Sequence, residues 1–220
     1  MKIINLSDGN SILKHFLCEL RDVNIQKDPM RFRRNIERIG EVMAYEVSKT
    51  LTYAPHTVTT PLGQLETSLI DDNVVLGTIF RAGLPLHQGF LNFFDRAENG
   101  FVSAYRYYKD KECKDVGIKI EYMASPDISG KTLILTDPML ATGGSMELGY
   151  EAFCTHGKPA NVHMVSVIAS QQGVDYLKSL YGDNDDITLW CGAVDPVLNE
   201  HSYIVPGLGD AGDLAYGDKL

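Results

Sequence analysis

Apolar residues at Phe32, Ile36, Ile39, Met43, Val47 and Leu51 recur at spacings of three and four, which predicts a helix from Pro29 with one apolar face. Its other face carries Arg33, Arg34, Glu37 and Glu41 and meets water or a partner. At His56 the texture changes. The stretch HTVTTPLGQLETSL is rich in threonine and broken by Pro61-Leu62-Gly63, a hairpin pattern. Beyond it, apolar runs at 74–80, 101–105, 117–123, 131–136, 161–169 and 187–191 read as strands, with helical segments between several of them. The alternation predicts an α/β fold, a mainly parallel sheet flanked by helices. Residues 1–70 are expected to form a helical arm and a hairpin, and residues 71–220 the α/β core with a C-terminal binding segment, all in one domain.

Composition agrees with this picture. A chain of 220 residues, 44% hydrophobic and 22% charged, has enough apolar surface for a proper core. No apolar run approaches the ~18 residues of a membrane helix, and MKIINLSDGN lacks the basic and apolar regions of a secretion signal, so a cytoplasmic protein is expected. Cys18, Cys113, Cys154 and Cys191 are far apart and form no C-x-x-C pair, so neither a zinc knuckle nor a disulfide framework is indicated and buried free thiols are expected. With 20 Lys plus Arg against 29 Asp plus Glu, the net charge is −9 and the pI about 5.1. That balance argues against a nucleic-acid binder but leaves an anionic small substrate open where arginines converge.

Candidate chemistry gathers at strand ends, where ligands bind in open α/β sheets. Asp137 follows the strand ending in Leu133-Ile134-Leu135-Thr136, and Thr142-Gly143-Gly144-Ser145 opens a helix running through Glu147, Leu148 and Phe153. Glycines let the backbone approach an anion, two hydroxyls add donors, and a helix start favours negative charge. A phosphate monoester fits this turn; the alternative is a plain strand-to-helix turn with Ser145 as N-cap. Arg81-Ala82-Gly83 follows VVLGTIF, and Arg106 follows FVSAY; each offers paired donors to a second anion or forms a surface ion pair. Near the C-terminus, GLGDAGD reads as turns or as a weak calcium loop using Asp210, Asp213 and Asp218. RYYKDKECKD, residues 106–115, is a solvated loop or a mobile cover over substrates.

An acid at a strand end, a phosphate turn and two arginines suit phosphoribosyl pyrophosphate, which carries a phosphate, a diol and a diphosphate. DPMLATGGS, from Asp137 to Ser145, resembles the ribose-phosphate signature of type I phosphoribosyltransferases, in the form found in uracil phosphoribosyltransferases. The run from Leu198 to Asp213, LNEHSYIVPGLGDAGD, is similar to the base-recognition segment of the same family. Shorter likenesses occur at Phe32-Arg33, Tyr45-Glu46, Arg81-Ala82-Gly83-Leu84 and Tyr105-Arg106.

The resemblance implies the type I phosphoribosyltransferase fold and transfer of ribose 5-phosphate to N1 of uracil, giving UMP and diphosphate with Mg²⁺ present. It further implies that Asp137, Pro138, Met139, Leu140, Ala141, Thr142, Gly143, Gly144 and Ser145 hold the ribose phosphate. Arg81 and Arg106 would contact the diphosphate side, and Asp210 the phosphoribosyl ligand, through the metal or directly. Uracil would lie against Ile204, Gly209, Asp210 and Ala211. Activation by GTP, known in some bacterial members, and a homodimer are also implied. Ser202 stands where many members have glycine, and Pro85-Leu86-His87 and Tyr107-Tyr108 depart from the usual pattern. Competing readings are a sensor of the same ligands that binds RNA, and a transferase acting on another base.

Overall fold

A computed structural model describes residues 1–108 and 116–218, with side chains described outside 104–120. The chain opens with β1 (Lys2–Asn5), a 3₁₀ turn at Leu6–Asp8, α1 (Leu13–Arg21) and α2 (Pro29–Ser48). The Asp28 carboxylate accepts hydrogen bonds from the amides of Met30 and Arg31, and Pro29 has no amide to satisfy, so α2 starts where the sequence predicts. Its apolar face is fully buried from Phe32 to Val47. β2 (Tyr53–Thr60) and β3 (Gly63–Ile70) form the expected hairpin, an almost wholly exposed antiparallel ribbon.

The core then runs β4 (Val74–Phe80), α3 (Gly83–Leu91), β5 (Glu98–Tyr108), β6 (Val116–Ala124), β7 (Thr132–Thr136), β8 (Met139–Leu140), α4 (Gly144–Cys154), β9 (Asn161–Ser170), α5 (Gln171–Tyr181), β10 (Ile187–Asp195), β11 (Val197–Leu198), β12 (Ile204–Val205) and α6 (Ala211–Tyr216). The main sheet has the order β1-β10-β9-β7-β4-β5-β6, with β8 alongside β9. All its pairs are parallel except β5 with β6. The expected α/β architecture is therefore present, with an antiparallel edge at the predicted 117–123 strand.

Two expectations need correction. Residues 2–5, assigned to the helical arm, extend the main sheet: Lys2 to Asn5 pair in register with Thr188 to Cys191. Cys18 is exposed and Cys154 only partly covered, so of the three described thiols Cys191 alone is buried; Cys113 lies outside the described residues.

Alternation along each central strand splits the core in two. Ile134 joins Leu17, Phe32, Met43, Phe90 and Trp190 on the face covered by α1, α2, α3 and α6. Its neighbours Leu133 and Leu135 join Met146, Phe153, Val174 and Leu177 on the face covered by α4 and α5. On the first face α2 crosses α3 at two glycines. A methyl group on Gly89 would lie 2.2 Å from the Glu37 carbonyl oxygen, and one on Gly40 2.6 Å from that of Leu86. Because α3 continues directly from Arg81, this backbone contact sets where the Arg81 turn sits.

Candidate active site

The carboxyl ends of β4, β7, β9 and β10 point the same way, and Asp137 and Arg81 follow β7 and β4 at that end. Thr136 pairs with Thr78, so Asp137 leaves β7 beside the last residues of β4, two positions before Arg81. The Arg81-Ala82-Gly83 turn folds back over this point. A methyl on Gly83 would strike Thr78 Oγ1 at 2.2 Å and come within 3.3 Å of the Thr136 carbonyl oxygen. Only glycine allows so close an approach.

The stretch after Asp137 is more ordered than a free loop. The Asp137 amide donates to the Val165 carbonyl at 3.0 Å, and Ser166 Oγ donates to the Asp137 carbonyl at 2.7 Å. Met139 and Leu140 form β8, parallel to β9 at Ile168 and Ala169. Ser170 Oγ then donates to the Ala141 carbonyl at 2.5 Å while accepting from the Gly173 amide at 2.8 Å, so one hydroxyl caps α5 and holds the turn. Gly173 is pressed against the turn, since a methyl there would lie 2.5 Å from the Ala141 carbonyl oxygen. Sequence reasoning missed Ser170 and Gly173. The signal available was a serine directly after an apolar strand.

Ser145 is not the N-cap of α4. That position belongs to Gly143, in the left-handed region at φ +93°, and Ser145 lies inside the first turn. The N-cap Gly143 has no side chain with which to cap α4, whereas Asp28, Ser170 and Asp210 cap α2, α5 and α6. The helix start therefore presents amide donors beside the exposed Thr142, as an anion cradle needs.

The C-terminal segment meets the Arg81 turn. Arg81 Nη2 donates to Asp213 Oδ1 at 3.0 Å, and a methyl on Gly212 would lie 3.4 Å from that nitrogen and 3.1 Å from Asp210 Oδ1. Arg81, Asp210, Gly212 and Asp213 are thus one cluster. Asp210 Oδ1 accepts from the amides of Gly212 and Asp213 at 2.8 and 3.0 Å, and Asp213 faces the arginine, so among the described residues the aspartates of the calcium-loop alternative are not gathered around a cation position. Ile204 and Ala211 bury their side chains in the α2 face of the core, which leaves their main chain as the part able to read a base.

Arg106 departs from the prediction. It does not follow a strand but lies within β5, which runs on to Tyr108 and pairs Arg106 with Ile118. Phe80, the last residue of β4, is in register with Ser103, so Arg106 stands on an overhang three residues beyond it. Residues 109–115 of the expected loop or cover lie outside the described residues.

The sequence departures now have places. Ser202 has φ 60°, a backbone conformation that glycine adopts without cost and that Asn199 supports here by accepting from the amides of His201 and Tyr203. Pro85, Leu86 and His87 are buried in α3 behind the Arg81 turn. The Asn99 amide donates to Ala97, so its oxygen accepts at 2.8 Å from His87 Nε2, and burial lowers the pKa of that imidazole.

A divalent cation is a further test of this site. Among the described residues no group of three or more His, Cys, Asp or Glu is arranged to hold a metal. Asp137 follows β7 and Asp210 caps α6, so the two carboxylates belong to separate elements. Such a donor set fits magnesium that arrives on a diphosphate, keeps several waters and takes one or two carboxylates.

With this geometry in view, the comparison with known proteins is decisive. The family model described as uracil phosphoribosyltransferase matches residues 8–218. The chain belongs to the uracil phosphoribosyltransferase family. It is 61% identical over 220 residues to the uracil phosphoribosyltransferase of Porphyromonas gingivalis, covering 100% of both chains. It is 40% identical over 210 residues to that of Methanothermobacter thermautotrophicus, covering 94% of this chain and 93% of the relative. The solved structure of the AQ2163 protein from Aquifex aeolicus superposes with a TM-score of 0.83 at 29% identity, covering 98% of each chain. This uracil phosphoribosyltransferase family member is accordingly a transferase built on the fold its sequence predicts. No helix among the described residues is long and apolar enough to cross a membrane.

Proposed function

We propose that the chain transfers the 5-phosphoribosyl group of phosphoribosyl pyrophosphate to N1 of uracil in pyrimidine salvage, releasing UMP and diphosphate. The observation that carries this reading is the meeting of Arg81 with the Asp210–Asp213 cluster, with the Arg81 turn packed on the end of β7 where the stretch from Asp137 into α4 begins. The stretch offers amides to a 5-phosphate, and the turn a guanidinium to the leaving diphosphate.

In this mechanism the stretch Asp137–Ser145 binds the ribose 5-phosphate: the amides opening α4 take the phosphate and the Asp137 carboxylate accepts from ribose hydroxyls. Arg81, joined by Arg106, stabilises charge that grows on the diphosphate as the glycosidic bond breaks. Asp210 and Asp137 would hold magnesium, which supplies neutralisation of the diphosphate charge. The main chain of Ile204, Gly209, Asp210 and Ala211 reads the acceptor, donor, acceptor edge of uracil and aligns N1 for attack. Cytosine reverses part of that edge and would leave buried groups unpaired, at ~1–3 kcal/mol each.

A homodimer and a cytoplasmic location belong to the same reading. The hairpin exposes Leu65 and Leu69 on one face, with Val58 paired across from Leu65, an apolar surface suited to a second subunit, and sedimentation showing only monomer at micromolar concentration would contradict the dimer.

The test is UMP formation from uracil, phosphoribosyl pyrophosphate and Mg²⁺, with diphosphate release followed in parallel. A rate proportional to enzyme establishes the reaction, and competition by cytosine, hypoxanthine and orotate fixes the base. GTP is added as a proposed effector. No UMP with or without GTP refutes the reading.

A further inference from the structure

Arg21, the last residue of α1, reaches acceptors 174 and 186 positions further along the chain. Its Nη1 donates to Asp195 Oδ2 at 2.7 Å and to the Gly207 carbonyl at 2.9 Å, and its Nη2 donates to Asp195 Oδ1 at 2.8 Å. Asp195 Oδ2 also accepts from the Gly207 amide at 2.9 Å. The result is a closed ring that joins the end of α1, the end of β10 and the turn after β12. Asp195 is 5% exposed, so the ring is largely shielded from water.

An ion pair serving stability alone needs only the two guanidinium–carboxylate bonds. Here Gly207 is held through both its amide and its carbonyl, and its left-handed backbone packs against the Ile204 carbonyl. Gln26 Nε2 adds a bond to the neighbouring Leu208 carbonyl at 3.1 Å. Gly207 and Leu208 lie between Ile204 and the Gly209-Asp210-Ala211 run. A site that reads its ligand by main chain has no recognition side chain to adjust. The groups that fix the height of that main chain must then determine what it reads.

We infer that the Arg21–Asp195 pair is the positioning device for base recognition: it sets uracil affinity and discrimination against other bases without touching the ligand. This rests on the uracil reading of 204–211 proposed above. The planar guanidinium is required, because lysine cannot satisfy both carboxylate oxygens and the Gly207 carbonyl in one geometry.

The test compares wild type, Arg21→Lys and Gln26→Ala by steady-state kinetics, varying uracil and phosphoribosyl pyrophosphate separately, with cytosine as the competing base and thermal melts as the check on folding. Arg21→Lys is expected to raise KM for uracil on the order of 10-fold, to leave KM for phosphoribosyl pyrophosphate within about 2-fold, and to lower the preference for uracil over cytosine. Gln26→Ala removes the bond to Leu208 and moves the same quantities less, and Asp195→Asn, which keeps an acceptor for the Gly207 amide but ends the charged fork with Arg21, is read in the same way if Arg21→Lys fails to fold. Folded variants with wild-type uracil KM and base preference, or with both KM values raised equally, overturn the inference. Wild type inactive in the same assay would instead defeat the proposed function, and this inference with it.

Discussion

Replacing Arg81 by alanine should separate catalysis from folding, because the two depend on its guanidinium to very different degrees. For stability, the side chain contributes one ion pair with Asp213 at 3.0 Å, in which the partners are 41% and 29% exposed, and one contact with the Gly217 carbonyl at 3.5 Å. A pair that wet contributes at most ~1 kcal/mol, and the second contact is at the limit of hydrogen bonding. The melting temperature should therefore fall by no more than about 4 °C for a chain of this size. For catalysis, removal of a donor aimed at growing charge costs ~10²–10³ in kcat. Arg81→Lys keeps the charge without the fork and should lie between the two. Steady-state UMP formation and urea unfolding, run on the same preparations, give both numbers. A variant that melts like wild type and keeps kcat within about 3-fold would remove Arg81 from the mechanism, since donors of this kind contribute far more. A loss of several kcal/mol in stability would refute the argument from exposure.

Asp210→Asn keeps a side chain that caps α6 equally well, so stability should change by less than ~1 kcal/mol while activity falls about 10-fold or more; a folded variant at the normal rate would end the role given to Asp210. Gly89→Ala forces a methyl against the Glu37 carbonyl oxygen at 2.2 Å and should destabilise by ~1–3 kcal/mol, read as a lower urea midpoint, whereas an unchanged midpoint would show that the α2–α3 crossing yields freely. His163 predicts an acid limb. Its Nδ1 accepts from Trp190 Nε1 at 3.1 Å, and burial brings its pKa from 6.5 down to about 4, opposed by Asp72. The folded value lies below the unfolded one, so stability present above pH 6.5 is lost as pH falls toward 4, by ~3 kcal/mol at ~1.36 kcal/mol per pH unit. His163→Gln should flatten that limb, and parallel wild-type and variant curves of unfolding free energy against pH would contradict the assignment.

The strands around Asp137 were legible because β4, β7 and β9 are buried on both faces and read as continuous apolar runs. Helix α2 was legible from its period and from Pro29 at its start. What periodicity cannot report is which distant element a segment meets. The four residues of β1 are too few to show a period, and their partner lies at 188–191. Arg106 looked like a strand end because Tyr107 and Tyr108 fit a loop as well as a strand; pairing with β6 decides it. Ser145 has the chemistry of an N-cap, but the glycine before the helix takes the left-handed backbone that starts it. Arg21 and Asp195 gave no joint signal, since neither residue type marks a pair so far apart in the chain.

The pairing of β1 with β10 also bears on how the molecule is assembled. During synthesis, residues 2–5 leave the ribosome long before their partners at 188–191 exist, and α1 waits equally long for Gly207. Closure of that edge is a late event that depends on nearly the whole chain, and such long-range pairing makes folding slow compared with a protein of local contacts. Cutting the chain between its halves would leave one fragment without its outer strand and the other with an edge ready to pair with whatever chain lies nearest.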